Sequence, residues 1–129
     1  MRRVVMGLGL LFLAACAGIT AREEGLMRVM AGVWPNVRTV VEAGVEDAVE
    51  AGDLDEQGRA ALVEEMDAMA MALESGDRHE LLSVDWATLS VFAERGIAAR
   101  RGEIGPGVAA SLRERNVRFN EAFIKVLSR

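Results

Sequence analysis

From Thr20 onward the apolar residues recur three and four positions apart, the spacing of helices that bury one face. Leu26, Met30, Val33, Val37, Val40 and Ala48 form the first stripe, and Met27, Trp34 and Val41 broaden it. Thr20-Ala21-Arg22-Glu23 matches a capping box at its start, so a helix is predicted over 20–50. Pro35 lies inside that helix and is expected to kink or split it between Gly32 and Asn36, because proline lacks the amide proton of the helical ladder. Gly52-Asp53-Leu54-Asp55-Glu56 is the next punctuation, with Asp53 read as the cap and Glu56 as the closing carboxylate. A second helix follows on Leu54, Leu62, Met66, Met69 and Leu73, and ends at Ser75-Gly76, where glycine takes a left-handed conformation cheaply.

Asp77-Arg78-His79-Glu80 opens a third helix carrying Leu81, Leu82, Val84, Trp86, Leu89, Phe92, Ala93 and Ile97, with Asp85 placed to interrupt and re-cap it. The run 102–107, Gly-Glu-Ile-Gly-Pro-Gly, reads as the clearest loop, and Pro106 suits the first turn of a fourth helix with Val108, Leu112, Phe119, Phe123, Val126 and Leu127. No stretch sustains a period of two. Four helices with short connections predict an all-α, up-down antiparallel bundle over residues 20–129. Aromatics make up only 5% of the chain, so its core must be filled by Ala, Val, Leu and Met.

The first fifteen residues follow a different pattern. Met1-Arg2-Arg3 is a short basic segment, and Val4 to Ala15 is an uncharged apolar run. As a helix that run spans about 18 Å, against about 30 Å for a bilayer core, which suits an export signal better than a permanent span. At its end, Leu13-Ala14-Ala15-Cys16 resembles the lipobox of bacterial lipoprotein precursors, and Cys16 is the sole cysteine. The resemblance implies that the Cys16 thiol is alkylated with diacylglycerol, that a signal peptidase cuts before it, and that the new amine receives an acyl chain. On this reading residues 1–15 are the signal peptide and 16–19 a short lipidated tether. The covalent acyl groups at Cys16 are then the expected non-protein component, with no further cofactor. The competing reading is an ordinary secretory signal with a coincidental cysteine. Ala17 is not the Asp that commonly retains such proteins in the inner membrane, so an outer-membrane position facing the periplasm is expected in a Gram-negative host. In overall plan the chain resembles the small lipoproteins of bacterial and tailed-phage genomes, which implies an envelope role such as superinfection exclusion or assistance in lysis. Two prolines in 129 residues do not match the Pro-rich composition of many outer-membrane spanin lipoproteins.

Charge refines this picture. The formal net charge is −5, and without Arg2 and Arg3 the basic residues fall from 15 to 13 against 20 acidic, giving −7. Such a surface suits neither nucleic acid nor anionic head groups. Residues 42–67 hold ten carboxylates against Arg59, whereas 95–129 hold eight cations against Glu103, Glu114 and Glu121. Either these segments neighbour and complement one another, or Arg113, Arg115, Arg118 and Lys125 form a basic face for an anionic partner. Peptidoglycan, lipopolysaccharide and an acidic envelope protein are partners of that kind.

Candidate chemistry is sparse. Met66, Met69 and Met71 suggest soft-metal binding through thioethers, although Met66 and Met69 also fall on the expected core stripe. His79 is the single histidine; with Met27 or Met30 it offers one axial pair for haem, and its first-turn position favours solvent instead. A di-iron site needs Glu-x-x-His on two helices, and a Ser-His-Asp triad would have to use His79 as well. Trp34 and Trp86 are expected in the core. The sequence therefore favours a non-enzymatic, lipid-anchored interaction or structural module, with a periplasmic ligand or metal carrier as the alternative.

Overall fold

The computed structural model describes the backbone of residues 2–128 and the side chains of 24–126 and 128. Four helices follow in order: α1 (Arg2–Glu50), α2 (Glu56–Ser75), α3 (Arg78–Ser83) and α4 (Trp86–Leu127). The described residues contain no strand, and the all-α bundle expected from the periodicity is the fold.

Within α1 the buried residues Met27, Met30, Trp34, Val37, Val41 and Ala48 fall at alternating steps of three and four, with buried Gly44 completing the series. This is a heptad seam of the kind that lets helices lie nearly parallel. Leu26 and Val33, expected at its centre, are only half-buried at its margin. Of the two outcomes expected at Pro35, a kink or a split, the split does not occur, and the helix passes through it. Pro35 sits on the exposed face, while Trp34 and Val37 on either side hold both halves in the core. Thr39 Oγ1 donates to the Pro35 carbonyl at 2.9 Å.

Antiparallel to α1 runs α2, as the pairs Arg38–Asp67 and Glu46–Arg59 require. Its buried residues Leu62, Met66, Met69 and Leu73 keep the helical spacing read from the sequence. The N-cap is Asp55, whose carboxylate accepts from the Gly58 amide at 2.7 Å, and not Asp53. Asp53 instead lies beside Arg95, an attraction that local sequence does not reveal. Gly76 ends α2 at φ 70°, as expected of a left-handed cap. Asp77 then caps α3 through the amides of His79 and Glu80, and Asp85 caps α4 through Thr88. The backbone turns extended at Val84, which separates α3 from α4 where the sequence had placed an interruption.

The expected loop at 102–107 contracts to one residue. Helical geometry runs from Trp86 to Ile104 and resumes at Pro106, with Gly105 alone at φ 80°, ψ 161°. That combination is open essentially to glycine, and Pro106 opens the second arm with its φ already set. The two arms of α4 lie antiparallel: Glu94 meets Arg113 and Asn116, Ser90 meets Asn120, and Trp86 meets Phe123. Chain direction is therefore up-down-up-down across α1, α2 and the two arms.

A close parallel crossing joins α1 and the first arm of α4. A methyl group on Gly44 would overlap the Phe92 carbonyl, and one on Gly96 would overlap the Val40 carbonyl. Both glycines are buried, so the two backbones touch there. Further along, Trp34, Trp86, Phe119 and Phe123 form one cluster, with Trp86 and Phe119 centroids 4.6 Å apart and Trp34 at 70° to Trp86. Four of the six aromatics of the chain are thus concentrated where α1 meets the α4 hairpin.

Candidate functional site

Lipidation was assigned to Cys16, whose side chain lies outside the described residues. Backbone 16–19, read as a tether, belongs to α1 and continues without a break into the bundle. Among the described residues no helix is long and apolar enough to cross a membrane.

The second arm of α4 carries the basic residues, and the fold does not gather them into one face. Arg113 turns toward the first arm and pairs with Glu94 at 3.4 Å. Arg118 pairs with Glu114 one turn away at 2.9 Å. Arg115 and Lys125 are exposed and form no ion pair among the described residues. Helical spacing places Arg118 and Lys125 along one outer strip, Arg115 near the margin of the core, and Arg113 on the side facing the first arm. The acidic segment is answered elsewhere, by Arg38 on Asp67, Arg59 on Glu46, and Arg95 on both Asp47 and Asp53. Arg95 bonds Asp47 at 2.8 Å and Asp53 at 2.9 Å, and these contacts raise its guanidinium above the ordinary value, Asp47 contributing most. Among the described residues Arg95 alone of the 95–129 cations pairs with the 42–67 carboxylates, while Arg113 and Arg118 pair within α4, so the two segments complement each other at that one point.

The methionine segment is divided. Met66 and Met69 are 1% and 0% exposed inside the core, whereas Met71 is 64% exposed, so three sulfurs do not converge. Met27 and Met30 are likewise core residues. His79 is exposed in the first turn of α3. No cluster of three or more His, Cys, Asp or Glu side chains with metal-binding geometry occurs among the described residues. Trp34 and Trp86 are buried.

What the structure adds is the polar seam of the α4 hairpin. Asn116 is 1% exposed, and its Nδ2 donates to Glu94 Oε1 at 3.2 Å while its Oδ1 has no partner. Asn120 accepts from the Trp86 indole N–H and reaches Ser90 with its amide. The indole N–H of Trp34 is also buried without a partner. Beside the seam, Leu82, Trp86, Phe123 and Ile124 line an open cleft of about 320 Å³. Leu82 and Ile124 of this cleft are exposed, as are Val91 and Val117 elsewhere on α4. The sequence places Trp34 and Trp86 in the core but singles out neither Asn116 nor Asn120. An Asn at a core position between two apolar turns was the available signal, and it becomes legible only once 116 and 94 are known to face each other.

No protein-family model, no curated protein and no solved structure matches the chain.

Proposed function

We propose that the chain is a lipid-anchored protein of the bacterial cell envelope, acting without catalysis as an interaction or structural module that faces the periplasm. The observation that carries this reading is Leu13-Ala14-Ala15-Cys16, with the one cysteine of the chain directly after an uncharged apolar run and a basic start. A thiol at that point can become the thiolate that attacks a lipid donor, and two small residues let an extended chain enter a protease cleft. Each buried methylene contributes about 0.8 kcal/mol, so two or three acyl chains hold a protein on a bilayer durably. Ala17 in place of Asp favours the outer membrane in a Gram-negative host. A role encoded by a phage, in superinfection exclusion or lysis, fits the same plan.

Support for an interaction role comes from Arg118 and Lys125 on one outer strip of the second arm, with exposed Arg115 nearer the margin of the core, on an otherwise acidic molecule. They suit an anionic cell-wall polymer or an acidic envelope protein. The net charge of the mature chain argues against nucleic acid.

Labelling with a radioactive or clickable palmitate in a bacterial host tests the anchor. The wild-type chain should take up label and sediment with membranes, while Cys16→Ser should be unlabelled and released to the periplasm. An unmodified Cys16 thiol in protein from native cells would overturn the proposal. For the surface, reversing charge at Arg115, Arg118 and Lys125 should reduce capture of envelope material with the helical spectrum unchanged; undiminished capture would remove that strip from consideration.

A further inference from the structure

We draw no further inference here: the strongest candidate, the apolar cleft between α3 and the α4 hairpin lined by Leu82, Trp86, Phe123 and Ile124, is an unpartnered face, and nothing in the structure shows what covers it.

Discussion

At the scale of single residues, competition between short polar side chains explains the misplaced cap of α2, whereas the helix start expected at the Thr20 capping box is overridden, since α1 already runs from Arg2. Asp53 and Asp55 are both able to cap α2; Asp55 does so, and Asp53 is held at Arg95. Asp85 is a clearer case. Its carboxylate accepts from the Thr88 hydroxyl at 2.7 Å and from the Thr88 amide at 3.2 Å, which lowers its pKa below the ordinary value. A depressed carboxylate stabilises the fold fully above its unfolded pKa of about 3.9 and loses that contribution as pH falls through the lower folded value. Asp85→Asn should therefore be less stable than wild type at neutral pH, with the difference shrinking in thermal melts below about pH 4. A gap that stays constant down to pH 2 would contradict the assignment. Trp34 supplies a second test, because its rings pack on Trp86 and Phe119 while its N–H is buried without an acceptor. Phenylalanine keeps an aromatic ring and removes the orphan donor. Trp34→Phe is expected to cost no more than about 1 kcal/mol in urea denaturation, against about 3–5 kcal/mol for Trp34→Ala.

Glycines divide the elements into places that need a missing side chain and places that merely lack one. Gly102 is exposed in the first arm of α4, with open space where a methyl would go. Gly102→Ala should raise stability by about 0.5–1 kcal/mol, since alanine loses less backbone freedom on entering a helix. Three residues on, Gly105 reverses the chain at φ 80°, and Gly105→Ala should cost about 1–3 kcal/mol through backbone strain. Opposite signs at 102 and 105 in paired melting curves would establish the single-residue reversal; equal small effects would favour the longer loop read from sequence. The crossing of α1 with the first arm makes a sharper demand. Gly44→Ala should cost about 3 kcal/mol or more, because the obstacle is the Phe92 backbone carbonyl, which cannot rotate aside. Gly32→Ala, on the exposed side of the same helix, is the matched control and should be neutral or stabilising.

The whole molecule is organised around α1, which packs against both α2 and the α4 hairpin, while α2 and α4 touch little. Among the described residues the core begins at Met27. A chain starting at residue 17 should consequently keep its helical spectrum and melt cooperatively, and loss of cooperative melting would show that residues before 17 contribute to the fold. Sequence by itself determined the all-α class, the end of α2 at Gly76, the caps of α3 and α4 at Asp77 and Asp85, and the identity of most core residues. Each of these rests on local physics: a spacing of three and four, an Asp oxygen within reach of a free amide, a glycine at a helix end. Tertiary structure alone decided which of two aspartates capped and which paired with Arg95, that α1 survives Pro35, that Gly44 and Gly96 bring parallel backbones into contact, and that the cations of α4 are dispersed. Those outcomes depend on residues far apart in the chain meeting at the same level of the bundle, and a one-dimensional pattern records the face a residue occupies without recording what stands across from it.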